Sequence, residues 1–230
     1  MNKKTVSICT PTYNRREFMK KLIDYVNHQD YPKKLIQWVI VDDGEDKIED
    51  LIKDMTNVVY VKLPKKVPLG KKRNIMHDHA TGSIIVYMDD DDYYPSTRVS
   101  HAVDELSKNP NILCAGCSKI YVYFEDSNKI YSFGPYNNYH ATANTFAFKR
   151  ELLEQTKYED TATRSEEKYF LKNFTIPMIQ LNTIKTILTI SHHHNTYDKR
   201  QIMQHAKESN KSIFHFINSG FIISNNYISE

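Results

Sequence analysis

Four consecutive aspartates, Asp89 to Asp92, directly follow the apolar stretch Ser83 to Met88 (SIIVYM). This stretch has the composition of a buried central strand, and open parallel sheets bind ligands beyond the carboxyl ends of their strands. Carboxylates about 4 Å apart repel one another by roughly 4 kcal/mol at an effective dielectric near 20. The cluster must therefore be solvated, partly protonated or occupied by a divalent cation. Its position after the strand favours a cation over a solvated acidic loop, and hard oxygen ligands favour Mg²⁺ or Mn²⁺ over zinc.

A second acidic pair and a run of cations are predicted to lie at the same edge of the sheet, where the carboxyl ends of its strands meet. Asp42 and Asp43 end the apolar stretch Gln37 to Val41, although Asp-Asp-Gly after a strand is also an ordinary turn sequence. Between the two acidic clusters, Leu69 to Asn74 (LGKKRN) places a glycine and three cations at the start of a predicted helix. Such a helix start can hold phosphates, and a solvated basic helix start would have the same sequence.

Three successive histidines, His192 to His194, follow the predicted strand Ile187 to Ile190. Because side chains alternate along a strand, His192 and His194 share a face if the strand continues, and all three cannot point the same way. Histidines in such a run are also common as packing or surface residues. A zinc site that combines them with Cys114 and Cys117 stays open.

The composition excludes several classes of protein. The 230 residues include 31 Lys and Arg against 28 Asp and Glu, and three cysteines. This balance gives no electrostatic case for nucleic-acid binding, and the few cysteines favour a reducing compartment. The start lacks the apolar core of a signal peptide, and no apolar run approaches the ~18 residues that span a bilayer. We expect a cytoplasmic protein without a membrane span or a nucleic-acid partner.

Alternating patterns of strand and helix in the front half predict a parallel sheet. Val6 to Cys9 forms a strand that Pro11 should stop, and Asn14, three residues before Glu17, should cap the following helix, which should run to Gln29. The other predicted strands are 37–41, 58–63 and 83–88, and the other predicted helices are 46–55, 71–80 and one that Pro95 opens.

The back half predicts mixed structure. Its predicted strands are 113–124, 129–133, 142–148 and 187–190, and its predicted helices are 166–172 and 198–217. We therefore predict an α/β fold in a single domain, residues 1–230, with a mostly parallel central sheet flanked by helices and a smaller mixed β region. Residues 198–230 would form a C-terminal helical segment.

Four motifs together resemble nucleotide-sugar glycosyltransferases of family 2, which have the Rossmann-like GT-A fold. They are Val6 to Arg15 (VSICTPTYNR), Trp38 to Gly44 (WVIVDDG), Gly70 to Asn74 (GKKRN) and Tyr87 to Pro95 (YMDDDDYYP). The resemblance covers roughly residues 5–98 and continues more loosely in 143–153 and in 165–170, which is similar to the Glu-Asp motif of the family. It implies a nucleotide-sugar-binding half, residues 1–98, and an acceptor and catalytic half, residues 99–197.

The resemblance also implies the residues that bind the donor. One of Asp42 and Asp43, with Asp43 favoured, would hydrogen-bond the nucleobase. The nucleotide pocket would be lined by Thr10, Pro11 and Tyr13, and the base or diphosphate would be contacted by Lys71, Arg73 and Asn74.

In the aspartate cluster, the resemblance implies an Asp-x-Asp element. Asp91 would ligate Mn²⁺ or Mg²⁺, and Asp89 would reach the ribose or a metal-bound water. Because the four aspartates are consecutive, the Asp-x-Asp element can be aligned in two ways that differ by one residue. The second alignment brings Asp90 into the donor site. His192 or His194 would join the metal or the diphosphate.

The resemblance implies an inverting mechanism, in which a carboxylate removes the proton from the incoming hydroxyl. Glu167 stands where the family usually has aspartate, and Glu166 is the alternative base. The implied activity is metal-dependent transfer of a sugar from a nucleotide-diphosphate sugar, with UDP favoured, to a hydroxyl of a glycan or another acceptor. The departure at Glu167 keeps open a non-catalytic nucleotide- or glycan-binding module. A nucleotidyltransferase is less well supported, because its glycine-rich phosphate loop is replaced by Thr-Pro-Thr-Tyr-Asn.

Overall fold

The computed structural model describes residues 3–193, 195 and 199–216. Its front half alternates strands and helices, and the strands run parallel in the order β3-β2-β1-β4. This part confirms the predicted βαβ pattern. Its elements are β1 (Val6–Thr12), α1 (Arg16–Asn27), β2 (Ile36–Asp42), α2 (Glu49–Ile52), β3 (Val58–Lys62), α3 (Leu69–His79), β4 (Ile84–Tyr87) and α4 (Arg98–Lys108).

The back half extends this sheet and adds a second one. The remaining elements are β5 (Cys114–Gly116), β6 (Ile120–Phe124), β7 (Lys129–Phe133), β8 (Ala147–Lys149), α5 (Glu167–Phe170), β9 (Met178–Gln180), β10 (Thr189–Ser191) and β11 (Lys207–Glu208). Within the described residues, the main sheet has the order β3-β2-β1-β4-β8-β5-β9, and β8 runs antiparallel to its neighbours. The second sheet, β10-β6-β7-β11, is the predicted mixed β region.

Two hydrophobic clusters cover the two faces of the main sheet. Ile8 and Trp38 belong to one cluster, together with the inner sides of α1 and α4. Cys9 and Val39, one residue further along each strand, belong to the other cluster, with Met76 of α3. Because apolar side chains cover both faces of the sheet, the polar side chains gather at the carboxyl ends of the parallel strands. In the part of the chain that the structure describes, no helix is long and apolar enough to cross a membrane.

The prediction that Pro11 ends the first strand is wrong, because β1 continues to Thr12. The Cys9 carbonyl accepts a hydrogen bond from the Met88 amide (3.2 Å), so the peptide groups of Cys9 face β4. Since peptide groups alternate sides along a strand, those of Pro11 face β4 as well. Pairing of β1 with β4 ends at Cys9 and Tyr87, so the missing amide hydrogen of proline leaves no ladder bond unmade.

The predicted capping box at Asn14 is also wrong. The cap residue of α1 is Arg15, and Asn14 adopts a left-handed backbone conformation with φ of 52°. The Asn14 side-chain oxygen accepts hydrogen bonds from the amides of Glu45 (2.7 Å) and Asp46 (3.1 Å) instead. Asn14 therefore joins the loop after β1 to the loop after β2, which fixes the shape of the ligand edge.

Several predictions in the back half need correction. Residues 113–124 form two strands in different sheets, since the chain leaves the main sheet after Gly116. Ala141 packs closely on Gly116, where an added Cβ would lie 2.6 Å from the Ala141 Cβ. Residues 143–145 form a 3₁₀ helix before β8, and β9 was missed. Residues 199–216 hold two 3₁₀ helices and β11 in place of one long helix. Residues 217–230 of the predicted C-terminal segment lie outside the described residues.

Candidate active site

The carboxyl ends of β1, β2 and β4 bring together the loops that hold the predicted site residues. Thr12 lies opposite Asp42 at the end of the β1–β2 pair, and Asp89 follows β4 on the other side of β1. The Asp43 amide donates a hydrogen bond to the Thr12 carbonyl at 3.3 Å. Both acidic clusters therefore lie at one edge of the sheet, as the sequence predicts.

The four aspartates occupy different environments. Asp92 accepts hydrogen bonds from the Asn144 side chain (2.6 Å) and the Ile190 amide (3.0 Å), so it anchors β10 to the loop. Asp90 is buried, and burial together with the charge of Asp91 raises its pKa well above the usual range. Asp89 and Asp91 are partly exposed and each faces a cationic or basic side chain. The run is therefore a structured loop and not simply a solvated acidic one.

Asp91 lies beside His192. The Asp91 carboxylate is 3.4 Å from His192 Nε2 and accepts a hydrogen bond from the Asn195 side chain at 3.2 Å. Arg15 approaches the same oxygen at 3.8 Å, and the His192 ring packs on Phe18 with 4.6 Å between ring centroids. The structure thus brings His192 to the acidic loop, whereas His194 lies outside the described residues.

The residues at Asp91 fit a divalent cation that arrives with a diphosphate. Among the described residues, no group of three or more His, Cys, Asp or Glu side chains can hold a metal ion unaided. Mg²⁺ is commonly held by one or two carboxylates while substrate phosphates and water supply the remaining ligands. Asp91 and His192 offer one oxygen and one nitrogen ligand, so a cation held here would take its other ligands from a bound molecule and water.

The alternative of a zinc site with Cys114 and Cys117 is wrong. Both cysteines are buried, and they belong to different hydrophobic clusters. Burial raises the pKa of the Cys114 thiol to about 12, which disfavours the thiolate that zinc requires. The Cys117 thiol instead donates to the Leu181 carbonyl at 3.6 Å.

Arg73 connects the aspartate loop to the predicted catalytic pair. Its Nε donates to Glu166 at 2.9 Å, and its two terminal nitrogens lie 3.2 and 3.4 Å from the Asp89 oxygens. The guanidinium is buried against the Tyr87 ring, 4.6 Å from the centroid. Asp89 and Glu166 keep the pKa of Arg73 well above its ordinary value despite the burial, so Arg73 is a fixed cation.

Glu166 and Glu167 differ in their partners. Glu166 is buried and paired with Arg73, whereas Glu167 is half-buried at the first residue of α5. Among the described residues Glu167 has no ion-pair partner within 4.0 Å. Burial, followed by the charge of Glu166, raises the pKa of Glu167. A carboxylate with a raised pKa and no committed cation is the better candidate for a general base.

His77 packs against Tyr87 and Tyr158, the two tyrosines whose rings also contact Arg73. One His77 ring nitrogen is 2.6 Å from the Tyr87 hydroxyl, and the ring packs against Phe148, Tyr158 and Phe170. Burial, followed by the charge of Arg73, lowers the pKa of His77 from 6.5 to about 3. His77 is therefore neutral in the folded protein at neutral and mildly acidic pH.

We expect folding stability to fall on acidification because of His77. The unfolded chain takes up a proton near pH 6.5 and the folded chain near pH 3, so protons bind preferentially to the unfolded state between these values. His77→Gln, which can retain the bond to Tyr87, will reduce the loss of unfolding free energy between pH 7 and pH 5 by about 2 kcal/mol. Urea titrations at both pH values measure this, with the exposed His79→Gln as control; an unchanged loss in His77→Gln would contradict the assignment.

Lys72 is a site residue that the sequence interpretation missed. Its ammonium pairs with Asp43 and donates to the Thr12 carbonyl at 3.1 Å, and its side chain is buried. Lys71, which was predicted at the donor site, is exposed on α3. The signal for Lys72 was its position four residues before Met76, which places both on the inner face of the helix.

Replacing Lys72 will destabilise the protein strongly. Lys72→Met leaves the Asp43 carboxylate buried without its cation, which typically costs about 3–5 kcal/mol. Lys71→Met, an exposed substitution on the same helix, should change the free energy of unfolding by less than about 0.5 kcal/mol. Urea denaturation measures both, and equal effects would contradict the role of the buried pair.

The remaining oxygens of the second acidic pair are also engaged. Asp42 accepts from the Tyr60 hydroxyl (2.5 Å) and the Gly44 amide (2.8 Å). The second Asp43 oxygen accepts from the Val67 amide (2.9 Å). Both carboxylates therefore shape the loops at this edge.

Three further predicted donor residues differ in placement. The Thr10 hydroxyl lies in the core, where it donates to the Met88 carbonyl (2.7 Å) and accepts from Trp38 (2.9 Å). Pro11 is buried beside it. Tyr13 is partly exposed, and the Lys66 ammonium lies 4.0 Å from its ring centroid, so this ring faces the edge.

Asn74 faces the back half of the chain. Its side-chain nitrogen donates to the Tyr158 carbonyl (2.9 Å) and to Asp160 (2.7 Å), and its oxygen accepts from the Tyr158 amide (3.0 Å). Asn74 therefore fixes the segment that leads to Glu166 and Glu167.

Comparison with protein families gives a match to "Glycosyl transferase family 2" over residues 7–167. Among curated relatives, the poly(ribitol-phosphate) β-N-acetylglucosaminyltransferase TarS of Staphylococcus aureus is 29% identical over 92 residues, which are 38% of this chain and 16% of TarS. An uncharacterized glycosyltransferase of Methanocaldococcus jannaschii is 24% identical over 189 residues, 74% of this chain and 64% of that protein. The GalNAc(5)-diNAcBac-PP-undecaprenol β-1,3-glucosyltransferase of Campylobacter jejuni is 30% identical over 110 residues, 45% of this chain and 35% of that protein.

Two solved structures share the fold. The mannosyltransferase PcManGT of Pyrobaculum calidifontis, in complex with GDP-Man and Mn²⁺, aligns with a TM-score of 0.65 at 18% identity, covering 85% of this chain and 59% of that one. TarS of S. aureus with UDP-GlcNAc aligns with a TM-score of 0.59 at 16% identity, covering 83% and 60%. These likenesses confirm the predicted GT-A fold. The sequence match with TarS, the first of the curated relatives, covers only 16% of the length of TarS.

Proposed function

The chain belongs to glycosyl transferase family 2, and on that basis we propose that it transfers a sugar from a nucleotide-diphosphate sugar to a hydroxyl of a glycan or another acceptor. UDP is the favoured nucleotide, since TarS is complexed with UDP and with UDP-GlcNAc. GDP is the alternative, since PcManGT is complexed with GDP-Man.

One observation carries this proposal. Arg73 holds Asp89 and Glu166 within hydrogen-bond distance on opposite ends of its guanidinium, so the loop after β4 and the start of α5 meet at one point. These two segments carry the acids that the family resemblance pairs in donor binding and catalysis. The buried arginine thus gathers the acids of both segments at the carboxyl edge of the sheet.

Asp91 and His192 would hold a divalent cation, Mn²⁺ or Mg²⁺. When bound, that cation supplies positive charge where negative charge develops on the departing diphosphate. Asp91 offers the hard oxygen ligand, and the contact with Phe18 fixes the ring of His192. Arg73 adds a permanent positive charge next to Asp89.

The nucleobase would lie on the exposed side of Tyr13, next to the loop that Asp43 holds through Val67. Lys66 lies 4.0 Å from the same ring centroid, so the pocket would present a cation to the donor, whereas Lys72, 6.0 Å from the centroid, is buried in its pair with Asp43. Asp43 acts here through the loop it positions, and its own oxygens stay paired with Lys72 and Val67.

Glu167 would serve as the general base. Its carboxylate removes the proton of the acceptor hydroxyl, and the oxygen attacks the anomeric carbon from the face opposite the departing diphosphate. Attack from that face inverts the anomeric configuration. Glu166 pairs with Arg73 and holds the start of α5 in place.

The proposal is tested by incubating the protein with UDP-Glc, UDP-GlcNAc, UDP-Gal and GDP-Man in the presence of Mn²⁺. Release of nucleoside diphosphate, by transfer or by slow hydrolysis, is expected with one of these donors and should depend on the metal. Nucleotide binding without release from any donor would support the non-catalytic binding module instead.

A further inference from the structure

An aromatic surface at the carboxyl end of β9, on the same edge of the main sheet as the candidate active site, has no role in the donor chemistry described above. The rings of Tyr136, His140 and Phe174 contact one another in a row, tilted by 50° and 31°, with centroid distances of 4.6 Å for Tyr136–His140 and 4.9 Å for His140–Phe174. Tyr136 is 51% exposed, and Tyr139 of the same loop is 46% exposed. We call these four side chains the aromatic ledge. Tyr136 and Tyr139 therefore present aromatic faces at the surface of the protein.

The loop that carries three of these rings is held rigidly. The Gln180 side chain donates to the Asn138 carbonyl (2.9 Å) and the His140 carbonyl (3.1 Å) from the end of β9. The Tyr139 amide donates to the Asn137 side chain at 2.9 Å. The backbone of this loop is therefore fixed, so it has little conformational entropy left to lose on binding.

The fourth ring is presented by a strained segment. Lys172, Asn173 and Phe174 all adopt left-handed backbone conformations, with φ of 49°, 56° and 61°. For a bulky residue such as Phe174 this conformation is a true outlier, and such strain persists where the surrounding structure fixes it. The segment directly follows α5, so the strain places Phe174 against His140 at the end of the helix that Glu167 begins.

Both parts of the ledge are continuous with the candidate active site. After His140 the chain runs through Ala141, beside Gly116, to Asn144, whose side chain donates to Asp92. On the other side, the helix α5 joins Glu167 to the segment of Phe174. The two chain segments that carry the aromatic ledge therefore also lead to the candidate active site, one to Asn144 and the other to Glu167.

From this arrangement we infer that the aromatic ledge binds pyranose rings of a glycan acceptor. Pyranose rings have flat apolar C–H faces that pack on tyrosine rings, and tyrosine adds contact area at a low entropic cost and a hydroxyl for the sugar hydroxyls. An acyclic polyol phosphate lacks such faces and would instead need fixed cations. The inference rests on the proposed function, and it specifies the acceptor as a ring-containing glycan.

The test uses the full chain, fluorescently labelled, on an array of immobilised pyranose oligosaccharides with poly(ribitol phosphate) spots alongside. We expect binding to pyranose glycans, a loss of about tenfold or more in Tyr136→Ala, and recovery in Tyr136→Phe, which keeps the ring. Phe214→Ala is the matched control, because Phe214 is 74% exposed and lies outside the ledge. Hydrolysis of the donor, measured as release of UDP in the absence of an acceptor, should stay unchanged in Tyr136→Ala.

Absence of glycan binding, binding to poly(ribitol phosphate) alone, or equal losses in Tyr136→Ala and Phe214→Ala would each overturn the inference. The donor assay separates this failure from a failure of the proposed function. A wild-type protein that releases no nucleoside diphosphate contradicts the proposed activity, whereas the array result depends on the ledge alone.

Discussion

Glu167→Gln will retain nucleotide binding and lower turnover by about 10²–10⁴-fold, the usual contribution of a positioned general base. The amide is nearly isosteric with the carboxylate but cannot accept the proton of the acceptor hydroxyl. Glu167 has a raised pKa and, among the described residues, no ion-pair partner, so its replacement leaves no cation unpaired. Release of UDP under saturating donor, with binding followed separately by calorimetry, measures the two effects.

Two comparisons make this result specific. Glu154→Gln alters an exposed acid earlier in the same half and should leave turnover unchanged. Glu166→Gln removes the partner of Arg73 and should impair binding and turnover together, because Arg73 also holds Asp89. If Glu166→Gln lost turnover but kept nucleotide binding, while Glu167→Gln kept its turnover, then Glu166 and not Glu167 would be the general base.

The pH dependence of the rate gives an independent check. A general base works in its deprotonated form, so activity should fall as the pH is lowered through its pKa. Burial and the charge of Glu166 raise the pKa of Glu167, so the acidic limb should lie above pH 4.5, the ordinary value for glutamate. This limb should disappear from the residual activity of Glu167→Gln.

Asp91→Asn will remove the metal-dependent part of nucleotide affinity, a loss of about tenfold or more. Asp91 is the aspartate of the loop that lies beside His192, and an amide is a much weaker ligand for a hard cation than a carboxylate. Calorimetric titration of UDP with and without Mn²⁺ measures the difference. The effect should be confined to the titration with metal.

Asp104→Asn, at an exposed position on α4, is the control and should bind as the wild type does. Asp92→Asn should instead lower stability, because its two oxygens accept from Asn144 and from the Ile190 amide. If Asp91→Asn keeps a wild-type response to Mn²⁺, Asp91 does not hold the metal.

Strand ends and acidic clusters could be predicted from the sequence because their signals are local. The stretch Ser83 to Met88 is apolar and ends abruptly in Asp89, so both the strand β4 and its carboxyl edge follow from neighbouring residues. The same reasoning placed Asp42 and Asp43 correctly at this edge.

The partner of each charge could not be predicted, because it depends on residues distant in the sequence. Asp42 is engaged by Tyr60 and Asp92 by Asn144, which turns two candidate ligands into structural anchors. Lys72 faces inward and Lys71 outward, although the two are adjacent and chemically identical. Arg73 joins Asp89 and Glu166 only because β4 and α5 meet in the folded chain.

The short strands β5, β8 and β9 escaped accurate prediction for a related reason. Each has three residues, too few to show an alternating pattern, and each is defined by pairing with a distant strand. Likewise, nothing in the sequence marks the left-handed conformation of Phe174, because bulky residues rarely adopt it.

Calorimetric titration of the wild-type chain with UDP and with GDP, each in the presence and absence of Mn²⁺, tests the central claim most directly. Binding of UDP that strengthens on addition of Mn²⁺ is the predicted result, because Asp91 and His192 would share the cation with the diphosphate. Absence of binding by both nucleotides, with and without the metal, would contradict the assignment of this edge of the sheet as a nucleotide-sugar site.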